Sequence, residues 1–288
     1  MKRYSIFIII LVLALVTMAC GFTFNLPFDE ISTGPTQTEE ISIPIPEQSP
    51  ADVKLVFGAG ELQLSPGSTG ALIEGQARYN VPDFKPEIRV EGNEVRLSSG
   101  ELEISGIPSV NFDDVENEWD LKIADAPMDL EINAGAYQGV FDLGGLSLNS
   151  LEVNDGAADV RLEFSEPNQT EMRSFRYSTG ASSVKMSGLA NANFGLMTFR
   201  GGAGDYSLDF SGDMQRDANV IIESGVSQVT IIVPEGTSAV VTFRGGLTNV
   251  DVGGDWQRSG STYELFGSGH QLLIEVEMGA GNLVLRTR

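Results

Sequence analysis

The chain has 288 residues, of which 41% are hydrophobic, and its formal net charge is −22. This length and apolar content are sufficient for one large domain or two smaller ones, each with a real core. The acidic balance argues against nucleic acid, and against anionic lipid held by surface charge, because both need clustered Lys and Arg.

The first segment, residues 1–19, has the pattern of a bacterial lipoprotein signal peptide. Lys2 and Arg3 precede an apolar run from Ile6 to Val16, and Cys20 follows shortly after it. Cleavage before Cys20 would leave the only cysteine of the chain to carry a diacylglycerol membrane anchor. The alternatives are ordinary secretion and an uncleaved membrane helix, although the apolar run is shorter than the roughly 20 residues that span a bilayer.

Residues 20–51 are predicted to form a disordered tether. Prolines that block helices and central strands recur along it, at Pro27, Pro35, Pro44, Pro46 and Pro50. Residues 52–126 are predicted to be an irregular β block or cap, because short alternating segments surround a hairpin signal at Gly92-Asn93. Within this block, residues 113–120 read as a short helical turn or a loop.

A repeated pattern around single glycines dominates residues 127–288, with an insertion at 253–272. Each central glycine has apolar residues five and three positions before it, and four and six positions after it. These glycines are 21 to 24 residues apart and are Gly135, Gly156, Gly180, Gly202, Gly225 and Gly246. The same frame fits Gly58 and Gly279. A glycine at this point indicates a corner that needs either positive φ or room for a close neighbour.

The period-two alternation on both sides of each glycine predicts strands with one buried face. Two strands per unit of about 22 residues favour an all-β, parallel β-solenoid. An antiparallel β-sandwich built from successive hairpins is the alternative, since turn signals also come every 8–12 residues. The solenoid is favoured because equivalent residues keep their type. One predicted interior ladder is Leu130, Leu151, Phe175, Met197, Val220 and Val241.

Five stretches of the folded part are typical of one known family: 55–62, 74–80, 127–130, 201–212 and 279–283. In these stretches the chain resembles the toast-rack family of bacterial envelope proteins. That family is related to domains proposed to be adhesins and to the C-terminal domain of LiaF-type cell-wall stress proteins. The resemblance implies a β-solenoid at the cell envelope without an established enzyme activity, and it defines no functional residues.

Candidate chemistry is sparse, so we expect no enzyme, no cofactor and no metal site. His270 is the only histidine, and a Ser-His-acid triad would have to use it. Calcium bound by scattered carboxylates such as Asp113 and Asp114 with Glu116 is an alternative. The best candidates for a binding surface are Trp119, Trp256 and Tyr263, since aromatic side chains on loops often stack on sugars or partner side chains. The favoured alternative is that these aromatic side chains close the ends of the solenoid.

Together these features predict a non-catalytic, extracytoplasmic protein that a lipid anchor holds at the bacterial cell membrane. Its rigid β surface would bind another envelope protein or a cell-wall glycan, as an adhesin or scaffold does. One alternative is an envelope-stress sensor or regulator, by analogy with LiaF-type proteins. The other is a glycan-active β-helix enzyme, which would need clustered carboxylates at outward positions such as 205, 207 and 209.

Overall fold

A computed structural model describes residues 33–100 and 115–288, so the predicted signal peptide, Cys20, Asp113 and Asp114 lie outside the described residues. The described chain forms one mixed sheet of 15 strands and two short 3-10 helices, Pro82–Phe84 and Leu189–Ala192. The strands are β1 (Gln37–Ile43), β2 (Ala51–Pro66), β3 (Ile73–Tyr79), β4 (Pro86–Glu91), β5 (Glu94–Ser99), β6 (Asn117–Ile123), β7 (Met128–Asp142), β8 (Leu148–Glu163), β9 (Ser174–Ser187), β10 (Leu196–Asp209), β11 (Ala218–Val233), β12 (Thr237–Gly253), β13 (Gln257–Ser259), β14 (Thr262–Leu265) and β15 (Ser268–Thr287).

Eight long strands stack in parallel, in the order β2-β7-β8-β9-β10-β11-β15-β12. Equivalent residues of successive repeats lie side by side, as Leu130 beside Leu151 and Leu151 beside Phe175 show. In β8 the buried positions are Leu151 and Val153 before the glycine, then Val160 and Leu162 after it. The core-facing side therefore switches between odd and even positions at the corner. The predicted all-β solenoid is confirmed, and the sandwich is not formed.

The last repeat is not stacked last. Strand β15 lies between β11 and β12, in parallel register with both. Ile274 consequently contacts Val220 on one side and Val241 on the other. The predicted direct contact between Val220 and Val241 is wrong, because a strand of the same pattern from the end of the chain occupies the space between them.

Close backbone approach explains the repeated glycine. A Cβ added to Gly156 would lie 2.7 Å from the carbonyl oxygen of Gly135 on the neighbouring strand. The same relation holds between each central glycine and the next along the stack, including Gly279 over Gly225 at 2.8 Å. Neither Gly156 nor Gly279 has positive φ. Of the two reasons that the sequence offered, room for a neighbour is therefore the correct one.

Side chains from both halves of each strand fill the interior. Tyr177 and Phe199 stack with ring centroids 5.6 Å apart, and Phe199 meets Tyr206 edge-to-face at 4.9 Å. All three side chains are fully buried. Burying one large apolar side chain stabilises a fold by about 1.5–3 kcal/mol. Equivalent positions of successive strands each bury such a side chain, so this stabilisation is repeated along the stack.

The N-terminal end of the stack is covered by β-structure. The first half of β2 pairs with β5, and its second half pairs with β6, which continues through β3 to β1. Strand β1 lies inside the range predicted to be a disordered tether, and that part of the prediction is wrong. The alternation of Ile41 and Ile43 buries one face, while Pro44 and Pro46 follow the strand and do not interrupt it.

The opposite end is only partly covered. The insertion predicted at 253–272 contains the hairpin β13–β14, and β14 pairs antiparallel with Ala239–Thr242 of β12. The rest of β12 runs beyond this hairpin. This arrangement leaves the part of β12 from Arg244 to Gly253 without a described strand on its outer side.

Candidate binding surface at the distal edge

The aromatic residues that the sequence singled out lie in the core. Trp119 is 1% exposed, Tyr263 2% and Trp256 9%. Trp119 belongs to β6, not to a loop or helical turn, and packs edge-to-face on Phe57 with centroids 5.2 Å apart. This corrects the prediction of a binding surface at these three rings, because a buried ring has no free face for a ligand.

The side chains considered for catalysis and metal binding have ordinary surface partners where the structure describes them. His270 is half-exposed, with Nδ1 3.4 Å from Asp217 Oδ1. The backbone N–H of Gln271 donates to the same oxygen at 2.8 Å, and this bond, with His270 nearby, lowers the pKa of Asp217. Glu116 accepts a hydrogen bond from Thr36 Oγ1. Within residues 33–100 and 115–288, no three His, Cys, Asp or Glu side chains are placed to hold a metal ion.

The most distinctive surface is the open side of β12, which we call the distal edge and define as Arg244–Gly253. Strand β15 pairs with β12 on one side along its whole length. On the other side the pairing of β12 with β14 ends at Thr242, and the last backbone contact is the Phe243 N–H donating to the Ser261 carbonyl oxygen at 2.9 Å. In the described chain no strand pairs with the distal edge beyond that point. The Asp251 carbonyl oxygen accepts a hydrogen bond from Arg286 Nη1 at 3.4 Å, and the other outward N–H and C=O groups are a template for another strand.

Core positions are open to solvent at the distal edge. Val252 is 37% exposed, whereas its equivalents Leu285 and Ile231 on the neighbouring strands are fully buried. At the corner itself, Leu247 is 86% exposed. Val226 holds the same position after the glycine of β11 and is 67% exposed. This end of the fold therefore presents apolar side chains beside free backbone groups.

Charged side chains border the distal edge on the outer face. One row across neighbouring strands contains Arg200, Glu223, Glu277 and Arg244. Arg200 Nε donates to Glu223 Oε2 at 2.8 Å. Arg200, Glu223 and Glu277 line a shallow depression of about 770 Å³. The side chain of Arg244 makes no hydrogen bond or ion pair with any described residue. A cation without a partner therefore lies at one end of the distal edge.

A buried polar cluster lies under an earlier corner. The Tyr137 hydroxyl donates to Asp155 Oδ1 at 2.7 Å, and the Tyr177 hydroxyl donates to Asp155 Oδ2. Burial raises the pKa of Asp155, although the two phenol hydrogen bonds oppose that shift. Burial likewise raises the pKa of both tyrosines. Both phenol rings are buried and Asp155 is partly buried between them, so we assign the cluster to the packing of the corner.

The described residues form an all-β stack of parallel turns with glycine corners and one open edge. Residues 32–187 match the family model described as the N-terminal domain of toast_rack, DUF2154. That match covers more than half of the chain, and the protein therefore belongs to the toast-rack family, as the sequence predicted. No curated protein matches the chain.

Several solved structures are similar to the described fold. A proposed cell adhesion protein from Clostridium sporogenes ATCC 15579 has 19% identity and a TM-score of 0.49, covering 88% of this chain and 99% of its own. A proposed adhesin from Bacteroides fragilis NCTC 9343 has 12% identity and a TM-score of 0.45, covering 89% and 99%. A proposed lipid binding protein from Parabacteroides distasonis ATCC 8503 has 11% identity and a TM-score of 0.41, covering 88% and 99%.

Reasoning from the sequence missed the distal edge. The repeat pattern marks Val250 and Val252 as core positions but does not indicate which repeat ends the stack. The available signal was the insertion at 253–272, which interrupts the array directly after these residues. As for membrane segments, the part of the chain that the structure describes contains no helix long and apolar enough to cross a bilayer.

Proposed function

We propose that this protein is a non-catalytic, lipid-anchored envelope protein that presents the distal edge to a protein partner. The observation that carries the proposal is the placement of this edge far along the strand order from β1, the first described strand. A chain anchored through Cys20 would thus hold its N-terminal end toward the membrane and its open edge away from it. Membership of the toast-rack family supports an envelope location.

A protein partner fits the distal edge better than a glycan does. Free backbone groups and partly exposed valines match an added β-strand, which gains main-chain hydrogen bonds and buries alternate side chains. Glycan binding usually relies on exposed aromatic rings. Trp119, Trp256 and Tyr263 are buried, which leaves Phe266, at 66% exposure, as the large exposed aromatic side chain near this end.

The lipid anchor is tested by cell fractionation and fatty-acid labelling of the full chain. We expect wild-type protein to remain with membranes and to incorporate a labelled fatty acid, whereas Cys20→Ala loses the label and leaves the membrane fraction. Thr17→Leu is the matched control, because leucine is the commonest residue at this position of a lipoprotein signal and the cysteine is kept. Label on Cys20→Ala, or its unchanged membrane retention, would refute acylation at Cys20.

A further inference from the structure

We propose that the distal edge binds a second copy of this chain, with the two β12 strands antiparallel about a two-fold axis. The proposal deepens the proposed function, since it uses the same edge and names its partner. Two identical edge strands related by a two-fold axis perpendicular to them run antiparallel, and such an interface is closed and self-complementary. Such pairing requires that the order of core-facing and outward-facing positions along β12 is the same when it is read in reverse.

The core-facing positions of β12 do match their own reverse. Val241 and Phe243 face the core before the corner, and Val250 and Val252 face it afterwards. A strand that enters from the opposite direction meets the same order of apolar, corner and apolar positions. In an antiparallel pair, residues directly opposite point to the same face. A second β12 would therefore cover the exposed part of the core with like side chains.

One register uses most of the distal edge. If Arg244 lies opposite Asp251 of the second copy, the pairing runs from Arg244 to Asp251 on each strand and stops before Phe243, whose N–H already donates to Ser261 of the hairpin. Neither hairpin has to move. The corner residue Leu247 falls beside the two-fold axis, where its exposed side chain meets the second corner.

Charge favours the same register. Arg244 has no partner among the described residues, and Asp251 binds Arg286 Nη2 at 2.6 Å through Oδ2 only, so Oδ1 accepts no hydrogen bond in the described structure. The two-fold axis forms the pair of Arg244 and Asp251 twice. Opposite charges placed directly across two strands stabilise their pairing, whereas like charges weaken it. The parallel alternative, with each residue beside its own copy, would place Arg244 beside Arg244 and Asp251 beside Asp251.

The orientation of such a dimer has a functional meaning. Ten strand steps separate β1 from β12, which is roughly 48 Å at ~4.8 Å per step. Two copies joined at their distal edges would have their N-terminal segments at opposite ends of a doubled stack. This geometry suits a contact between two facing membranes, not a pair within one membrane, and it is the arrangement that homophilic adhesion requires.

Reciprocal charge reversal tests the proposal. Full chains purified in density-matched detergent would be studied by sedimentation equilibrium at up to about 100 μM. We expect wild-type chain to dimerise, and Arg244→Asp and Asp251→Arg each to dimerise at least about tenfold more weakly. An equimolar mixture of the two variants should dimerise like wild type, because every cross-strand pair then joins opposite charges.

The matched control is Arg200→Asp. Arg200 occupies the position equivalent to Arg244 three strands away, and its substitution makes the same change in net charge. We expect it to leave the dimer unchanged. A monomeric wild-type chain, or a dimer that neither reversal weakens, would overturn the proposal. Membrane retention of Cys20→Ala is measured separately, so failure of the anchor and failure of the dimer are distinguishable.

Discussion

Replacing a corner glycine by alanine tests the packing that defines this fold. In Gly156→Ala the new Cβ would lie 2.7 Å from the Gly135 carbonyl oxygen, well inside the 3.4 Å at which ordinary van der Waals contact begins. The two strands must then move apart. Overpacking of this kind costs about 1–3 kcal/mol. For a domain of this size, that cost lowers the melting temperature by about 2–12 °C.

Gly58→Ala is the matched control, because Gly58 occupies the same position in the first repeat. Its nearest neighbour would be Ser99 Oγ at 3.5 Å, an ordinary contact, and neither Gly58 nor Gly156 has positive φ. We expect this change to be neutral or to stabilise the protein by up to about 1 kcal/mol, since alanine restricts the unfolded chain. Thermal unfolding followed by circular dichroism measures both variants. Equal melting temperatures would refute close packing as the reason for the glycines.

Three further predictions concern the interior. Asp155→Ala should cost about 1–3 kcal/mol in urea unfolding, because two buried phenols lose their acceptor; a change below about 0.5 kcal/mol would show that the cluster is not a packing element. The raised pKa of Asp155 means that its favourable contribution is complete below the unfolded pKa of about 3.9 and is lost as pH rises through the folded pKa. Wild type should therefore lose stability relative to Asp155→Asn as pH rises across that window, and parallel pH profiles would contradict this assignment. Ile274→Ala should cost about 2–5 kcal/mol, while Leu273→Ala, a half-exposed neighbour, should change stability by less than about 0.5 kcal/mol; similar losses in both would mean that the inserted strand is not held by its core face.

The sequence predicted the structure of the glycine-centred repeats well. Leu151 and Phe175 are equivalent by spacing alone, and stacking places them side by side. The same reasoning failed for Val241, because the spacing says that a residue belongs to a ladder but not which ladder member is its neighbour. Strand β15 carries the same pattern as β12, and only the pairing of the whole sheet decides their order.

The ends of the stack were harder to predict than its middle. Ile41 and Ile43 alternate like a strand, yet the surrounding prolines dominated the reading of that segment as a tether. Trp119 and Trp256 looked like exposed aromatics because the segments around them match no repeat. Such side chains instead cover the hydrophobic ends that every stack of turns leaves open, and a residue that covers an end has no counterpart elsewhere in the chain.

The position of β15 has a consequence for biosynthesis. A growing polypeptide emerges from its N-terminus, so β12 becomes available before the residues that will separate it from β11 have been made. The gap between those two strands can close only after the residues of β15, Ser268–Thr287, have been made. A chain truncated before Ser268 would lack β15 and would leave β11 and β12 each with an unpaired edge where β15 would lie. Closure of the fold therefore depends on a strand that is made after both of its neighbours.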